Sequence, residues 1–359
     1  MTPPIATGFI LKSILITGGC GFIGSHFVKL ILRQRPQCRV VNLDLLTYAG
    51  NPENLSTENR IRDGSVYRFV HGDIADAELV AQLIREENVD AIVNFAAETH
   101  VDRSLLDSAP FLRTNVEGTR VLLEAAGAET MKRFLQVSTD EVYGSLTSSE
   151  LAFTEESPLK PNSPYAASKA AGDLLVRAYH HSYGIPALIT RCSNNYGPYQ
   201  FPEKFLPLLV TNALEDRALP IYGDGQQIRD WIHVEDHARA LLDVLERGRI
   251  GETYNVSADD ERTNQSMAEW VLRILGKPQS LIRYVKDRPG HDRRYGVDSS
   301  KLRSETGWKP FIDLETGLRT MIEWYRGEQG WWERIKSGEY RKYYDELYRE
   351  RLGSLNRDI

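Results

Sequence analysis

The sequence contains very little cysteine. Only Cys20, Cys38 and Cys192 occur among 359 residues. Their number is odd and their spacing matches no zinc or redox motif, so neither a disulfide framework nor a cysteine-based metal site is expected. We therefore expect reduced thiols and a cytoplasmic protein.

Long apolar runs and a dominant charge are missing as well. No stretch approaches the roughly 18 uncharged apolar residues of a membrane span, and the first residues lack the basic start and apolar run of a secretory signal. The 50 acidic and 44 basic side chains give a formal net charge of -6. This balance argues against a nucleic-acid-binding surface, so an anionic ligand would need a local basic pocket.

The remaining composition is ordinary for a globular protein, with 41% apolar and 26% charged residues. The length suits about two domains, and no repeats or low-complexity segments occur. Short apolar strands are predicted at residues 14–16, 39–44, 66–70, 91–95, 134–137 and 187–190. Predicted helices between them include 76–87, 115–126 and 163–183. This alternation indicates a parallel sheet with helices on both faces.

The sequence thus predicts an α/β protein with a Rossmann-type, doubly wound parallel sheet. We expect a dinucleotide-binding domain over residues 12–197 and a smaller, mostly helical substrate domain over 198–359. A segment near 230–257 is expected to return to the first domain, which makes the boundary interleaved.

Three glycines follow the first predicted strand. Gly18 permits a tight turn, and Gly21 lets the backbone approach a pyrophosphate. Gly24 lets the helix pack closely on the strand. Asp44 ends the second strand, 20 residues after Gly24. A carboxylate there binds ribose hydroxyls and repels a 2′-phosphate, and no Arg or Lys follows in residues 45–48, so NAD is favoured over NADP.

Two further motifs suggest proton-transfer chemistry. Tyr165 and Lys169 are four residues apart, so they share one face of a predicted helix, where an ammonium beside a phenol would favour the phenolate. Thr139, Asp140 and Glu141 end the fifth strand, at the sheet edge where ligands bind. Two adjacent carboxylates there suggest an acid and a base with separated pKa values.

The GxxGxxG spacing and the Tyr-x-x-x-Lys pair resemble the extended branch of the short-chain dehydrogenase/reductase superfamily. Residues 139–144, Thr-Asp-Glu-Val-Tyr-Gly, are similar to the signature of the dTDP-glucose 4,6-dehydratase family. Residues 97–104, 191–198, 223–231 and 287–292 also match, along the whole chain. Thr99 stands where that family often has serine, and the hydroxyl is kept.

The resemblance implies NAD as cofactor and a set of residues that contact it. These are Gly18, Gly21, Phe22, Ile23, Gly24, Asp44, Leu45, Thr47, Asp73, Ile74, Phe95, Ala96, Ala97, Thr114, Tyr165, Lys169 and Asn195.

The resemblance also implies dTDP-glucose as substrate and a homodimer through helices near 115–126 and 163–183. Tyr165 would take the 4-hydroxyl proton while Thr139 orients that hydroxyl. Glu141 would then remove the C5 proton while Asp140 protonates the departing 6-hydroxyl, and hydride would return to C6. The implied substrate contacts are Thr99, Thr139, Asn194, Glu203, Lys204, Phe205, Pro220, Tyr222, Arg229, Asn264, Arg288 and His291, with Arg229 and Arg288 on the phosphates.

Several alternatives stay open at this point. Another nucleotide-sugar 4,6-dehydratase, a UDP-sugar 4-epimerase or a UDP-glucuronate decarboxylase would share the early motifs, and a non-catalytic NAD-binding regulator would share the fold. The motifs do not separate thymine from uracil, nor Asn194 from Asn195 as the substrate contact. His233 and His237 resemble half of a metalloprotease motif, but the glutamate is misplaced and no third ligand is evident, so no metal is expected.

Overall fold

The computed structural model describes residues 9–58, 61, 64–128 and 131–337. The strands are β1 (Ser13–Thr17), β2 (Arg39–Asp44), β3 (Tyr67–His71), β4 (Ala91–Asn94), β5 (Arg133–Thr139), β6 (Ala187–Cys192), β7 (Asn194–Tyr196), β8 (Leu219–Tyr222), β9 (Ile228–His233), β10 (Thr253–Val256), β11 (Glu261–Thr263) and β12 (Ile282–Val285). Seven of these described strands form one sheet in the order β10-β6-β5-β4-β1-β2-β3, and every pair in it is parallel.

Helices connect most of these strands. The helices are α1 (Phe22–Gln34), α2 (Ala77–Glu86), α3 (Val101–Leu106), α4 (Ala109–Phe111), α5 (Thr119–Ala128), α6 (Pro164–Tyr183), α7 (Phe205–Leu214), α8 (Val234–Arg247), α9 (Asn264–Leu275), α10 (Ser300–Thr306), α11 (Leu314–Gly327) and α12 (Gln329–Lys336). No helix in this part of the chain is long and apolar enough to cross a bilayer.

The alternation of side chains along β1 explains why the sheet is covered on both faces. Ile14 and Ile16 belong to a core formed with α1 and α8, whereas Leu15 belongs to a second core formed with α2, α5 and α6. Successive residues of a strand point to opposite faces, so a strand that is apolar at every position requires two apolar neighbours. The predicted doubly wound sheet is confirmed.

The remaining elements build a smaller and mostly helical region. A third core joins α7, α9, α11 and α12 around Leu209, Met267, Leu318 and Trp332. Two small sheets, β11-β9-β7 and β12-β8, accompany these helices. The aromatic residues that follow, from Tyr340 to Tyr348, lie outside the described residues.

The chain returns to the large sheet after it has entered this region. β10 pairs in parallel with β6 at the edge of the large sheet, and α8, just before it, packs against α1. The domain limits at residues 197 and 198 stay a prediction.

Two differences from the predicted elements affect the site. Strands β5 and β6 run on to Thr139 and Cys192, because polar residues at their ends still pair, with Thr139 opposite Cys192. The predicted helix at 115–126 instead begins within a π-helical stretch, Leu112–Gly118, and continues as α5. Apolar spacing cannot reveal such a change of helix type.

Candidate active site

The turn between β1 and α1 forms one wall of a cleft at the carboxyl ends of the parallel strands. Gly18 has φ +67°, and a Cβ at this position would lie 2.8 Å from the backbone nitrogen of Ala96. A Cβ on Gly24 would collide with the carbonyl oxygen of Gly18. Both positions therefore require glycine. The first residues of α1 line the cleft, and the N-terminus of a helix suits a phosphate.

Asp44 lies at the second wall, at the end of β2. Its carboxylate accepts hydrogen bonds from the backbone N–H groups of Cys20 and Leu46, each at 2.8 Å. Burial raises the pKa of Asp44, and these two N–H donors oppose the shift. Two N–H groups thus hold the carboxylate in place beside the glycine turn. A glycine turn that can accept the pyrophosphate, with a carboxylate beside it that can bind the ribose hydroxyls, fits NAD.

All residues predicted to contact the cofactor line this single cleft. They are Gly18, Gly21, Phe22, Ile23, Gly24, Asp44, Leu45, Thr47, Asp73, Ile74, Phe95, Ala96, Ala97, Thr114, Tyr165, Lys169 and Asn195. We call this part of the cleft the nucleotide lobe. The contact that each residue makes with NAD stays a prediction.

Helix α6 carries Tyr165 and Lys169 into the same lobe. Ser163 caps this helix by accepting a hydrogen bond from the N–H of Ala166 at 3.1 Å, and Pro164 occupies the first turn. The Lys169 ammonium donates to the carbonyl oxygen of Val137 at 2.7 Å. Helix α6 and strand β5 are therefore tied together at Lys169.

Burial has the largest effect on the pKa of Tyr165, and it opposes the effect that the sequence predicts for Lys169. Burial raises the pKa of Tyr165 well above its usual value, and Glu141 adds to the rise. Burial also lowers the pKa of Lys169, and its ammonium is hydrogen-bonded to backbone. Burial thus favours the neutral phenol, and a positive charge bound in the lobe would favour the phenolate.

Asp140 and Glu141 form a short 3₁₀ turn directly after β5. The Thr139 hydroxyl accepts a hydrogen bond from the N–H of Glu141 at 3.3 Å and also donates to Asp140 at 3.3 Å. The Asp140 side chain is buried, and its Oδ2 atom has no hydrogen-bond partner among the described residues. Glu141 lines both parts of the cleft.

Neighbouring charges act differently on the pKa values of Asp140 and Glu141. Burial raises the pKa of both, but Asp140 is raised well above its usual value, with Glu141 and Asp230 adding to the rise. For Glu141, three cations oppose the effect of burial: Arg288, Arg229 and Lys204. The geometry therefore favours a protonated Asp140 beside an ionisable Glu141, as one acid and one base require.

A buried network holds this turn against α6. The Tyr143 hydroxyl donates to Asn255 at 2.8 Å and accepts from Arg191 at 2.9 Å, and the Arg191 Nε donates to Asp173 of α6, also at 2.9 Å. Gly144 ends the turn at φ +89°, where a Cβ would collide with the carbonyl oxygen of Lys160. The final Tyr-Gly of the motif is thus structural. Sequence reasoning missed Arg191, Asp173 and Asn255, because no local pattern joins them.

The second part of the cleft, which we call the sugar lobe, contains all but one of the predicted substrate residues. Its lining includes Thr99, Asn194, Glu203, Lys204, Phe205, Pro220, Tyr222, Arg229, Asn264, Arg288 and His291. Thr139, the remaining predicted substrate residue, lines the nucleotide lobe instead. Their contacts with substrate stay predictions.

Two arginines, Arg229 and Arg288, line the sugar lobe and make it locally basic. Arg229 donates to the carbonyl oxygens of Ile228 and Asp292 at 2.7 and 3.0 Å, and its guanidinium lies 4.2 Å from the centre of the Tyr295 ring. The Nε of Arg288 is buried without a hydrogen-bond partner in the described part of the chain. Such a pair of cations suits a diphosphate.

Asn194 and Asn195 differ in their hydrogen bonds. The Asn195 side chain donates to the carbonyl oxygen of Ser193 at 3.0 Å, and its Oδ1 is 2.8 Å from Nδ1 of His237. The Oδ1 of Asn194 has no partner among the described residues, so Asn194 is the freer group. His237 is occupied by Asn195, and no group of three metal-binding side chains occurs in the described ranges.

Comparisons with known proteins agree with these features. The sequence model of the GDP-mannose 4,6 dehydratase family matches residues 15–321. A dTDP-glucose 4,6-dehydratase from Xanthomonas campestris is 50% identical over 345 residues, covering 91% of this chain and 97% of the relative. One from Escherichia coli is 47% identical over 355 residues, covering 91% and 97%.

Solved structures place the fold in the same group. A dTDP-glucose 4,6-dehydratase from Streptomyces venezuelae with NAD and TYD bound is 50% identical, has a TM-score of 0.87 and covers 90% of this chain and 100% of that one. A UDP-glucose 4-epimerase from Thermotoga maritima is 28% identical with a TM-score of 0.82, covering 89% and 100%. The much higher identity lies with the dehydratases, and this chain belongs to the family of dTDP-glucose 4,6-dehydratases.

Proposed function

We propose that this protein is an NAD-dependent enzyme that converts dTDP-glucose to dTDP-4-keto-6-deoxyglucose and water. The observation that carries the proposal is the Asp140–Glu141 pair, which lies directly after β5 and lines the cleft, with Glu141 in both lobes. An epimerase needs no such pair, because it removes no hydroxyl group. The relatives at 47–50% identity carry the same activity in their names.

The first step uses α6. Tyr165 removes the proton of the sugar 4-hydroxyl, and Thr139, whose side chain contacts Tyr165, orients that hydroxyl. NAD supplies a hydride acceptor and, in its oxidised form, a positive charge that would favour the Tyr165 phenolate. Lys169, fixed to Val137, places its ammonium on the same face of α6 as Tyr165.

Elimination uses the turn after β5. The new 4-ketone acidifies the C5 proton, which Glu141 removes, and the buried Asp140 donates its proton to the departing 6-hydroxyl. The pKa directions support this division. Three cations oppose the effect of burial on Glu141, and Asp292 adds to it. Two carboxylates add to the effect of burial on Asp140, and Arg229 and the Thr139 hydroxyl oppose it. C6 then accepts the hydride that left C4, while Glu141 returns its proton to C5. Passage of one proton through solvent from Tyr165 to Asp140 returns all three groups to their starting states.

We further propose a homodimer that uses α6 and its neighbours, and a cytoplasmic location. Leu106, Leu112 and Leu174 are 76, 54 and 57% exposed near this helix, an apolar exposure that a second copy would cover. The three cysteines are buried and unpaired, which suits a reducing compartment.

The test is mass spectrometry of dTDP-glucose and, separately, of UDP-glucose after incubation with the purified protein. The proposal expects dTDP-glucose to lose one water without net NADH, and the UDP-glucose result sets the base preference. With deuterium at C4 of dTDP-glucose, the label is expected at C6 of the product. If neither sugar changes mass, proton NMR distinguishes an epimerase from a protein that binds NAD without turnover, and either result contradicts the proposal.

A further inference from the structure

Two segments on opposite sides of the nucleotide lobe contact each other. Residues 45–50 follow Asp44 at the end of β2, and residues 200–204 lie between β7 and α7. Both segments line the lobe, for example through Thr47 and Gln200. The rings of Tyr48 and Phe201 meet edge to face with their centroids 5.5 Å apart. This contact bridges the lobe from the dinucleotide side to the sugar side.

Arg103 of α3 reinforces the bridge. Its guanidinium lies 4.2 Å from the centre of the Tyr48 ring, and its Nη2 and Nε atoms lie 3.0 and 3.3 Å from Oε2 of Glu203. The Glu203 side chain is only 2% exposed and that of Arg103 is 29% exposed. Both contacts are hydrogen bonds between charged groups, and such bonds are stronger than those between neutral groups. One arginine thus joins α3 to both segments.

The segment that carries Glu203 is also fixed elsewhere. The Lys204 ammonium donates to the carbonyl oxygen of Thr99 at 2.9 Å, and Gln200 donates to the carbonyl oxygen of Asn195, also at 2.9 Å. The Tyr325 hydroxyl donates to the carbonyl oxygen of Gln200. Side-chain hydrogen bonds to Thr99, to β7 and from α11 therefore anchor residues 200–204.

A bridge at this place matters because the proposed reaction uses the same NAD twice. If the dinucleotide left between the two hydride transfers, an oxidised sugar and an empty protein would remain. We propose that Arg103, acting through Tyr48 and Glu203, is a clasp that retains NAD in its lobe for the whole catalytic cycle. The proposal rests on the dehydratase function above. Arg103 is a positioning residue in it and contacts no reacting atom.

The first test measures how long NAD stays bound. Protein loaded with radiolabelled NAD is chased with unlabelled NAD, and label retained after rapid gel filtration is followed with time. Arg103→Met keeps the aliphatic side chain and removes the charge. We expect label to leave about tenfold faster, which corresponds to about 1.4 kcal/mol, within the range for a partly desolvated cation over a ring with a charged partner.

A matched control removes a comparable ion pair away from the cleft. Arg35 binds Glu246 through two contacts of 2.7 and 2.6 Å that join α1 to α8. Arg35→Met is expected to release label at the wild-type rate. Arg103→Lys keeps a charge for Glu203 but loses the planar stacking on Tyr48, and its rate is expected to lie between wild type and Arg103→Met.

The second test follows the cofactor during turnover of dTDP-glucose. In Arg103→Met, NADH is expected to appear in solution, detected by an NADH-oxidising coupling enzyme, and activity is expected to decay with time and to return when NAD is added. Tyr48→Leu, which removes the ring beneath the guanidinium, is expected to behave in the same way. If Arg103→Met fails to fold, Tyr48→Leu tests the clasp in its place.

The outcomes separate the clasp from the proposed function. Label release at the wild-type rate in the folded variants would overturn the clasp, even if dTDP-glucose is dehydrated normally. Faster release from Arg103→Met or Tyr48→Leu, in a protein that does not act on dTDP-glucose, would support the clasp and contradict the dehydratase function.

Discussion

Asp140→Asn is expected to reduce activity while it increases stability. Asparagine resembles a protonated aspartic acid in shape but cannot release a proton to the 6-hydroxyl. Loss of a general acid lowers rates by about 10²–10⁴-fold. Because Asp140 is 3% exposed and its Oδ2 atom has no partner in the described part of the chain, the substituted amide meets much the same surroundings as the protonated carboxyl group.

The sign of the stability change follows from proton linkage. Burial raises the folded pKa of Asp140 above that of the unfolded chain, so above about pH 4 the native state binds more protons than the unfolded state, and stability falls as the pH rises. Asparagine carries no such penalty. The variant is expected to be more stable than wild type at neutral pH, and the gain should vanish as the pH falls toward about 4.

The assay combines thermal unfolding with isotope exchange. Melting curves of both proteins between pH 4 and 8 give the stability difference, and incubation with dTDP-glucose in D₂O reports C5 exchange apart from loss of water. Asp140→Asn should exchange the C5 proton while losing little water, and Glu141→Gln should do neither. A variant that is less stable than wild type at pH 7, or Glu141→Gln with normal C5 exchange, would refute the assigned roles.

Three further changes test other parts of the site. Tyr165→Phe is expected to slow the initial oxidation by about 10²–10⁴-fold, so single-turnover measurements should show no NADH absorbance; a normal transient would contradict the role of the phenol. Gly24→Ala places a Cβ against the carbonyl of Gly18, which should cost about 1–3 kcal/mol and weaken NAD binding in calorimetry, whereas Gly330→Ala in α12 should not. Arg288→Met should raise KM for dTDP-glucose about 10–100-fold, from a lost contact of about 1.5–3 kcal/mol, with a smaller change in kcat; an unchanged KM would remove Arg288 from the phosphate site.

The nucleotide lobe was predictable because its determinants are local. Gly18, Gly24 and Asp44 lie on consecutive elements, and the apolar strands between them specify a covered parallel sheet. Once the topology is known, the carboxyl ends of β1, β4 and β5 must meet at one edge. The sequence therefore predicted the lining of this lobe from motif spacing and family resemblance together.

The supporting structure was not predictable in the same way. Asp173, Arg191 and Asn255 are far apart in sequence and contact Tyr143 only after α6, β6 and β10 have packed. The phenol of Tyr165 also depends on burial, which raises its pKa against the expected effect of Lys169. Spacing reveals which side chains share a face, but it does not reveal how much water surrounds them.

The return of the chain to the large sheet has a consequence for synthesis on the ribosome. β6 ends at residue 192 and its outer neighbour β10 begins at residue 253, so 253 minus 192, or 61 residues, must be added before that edge is paired. At about 5–20 residues per second this takes roughly 3–12 s. During this interval we expect the outer edge of β6 to lack its partner, and an unpaired strand edge is a template for pairing with another chain.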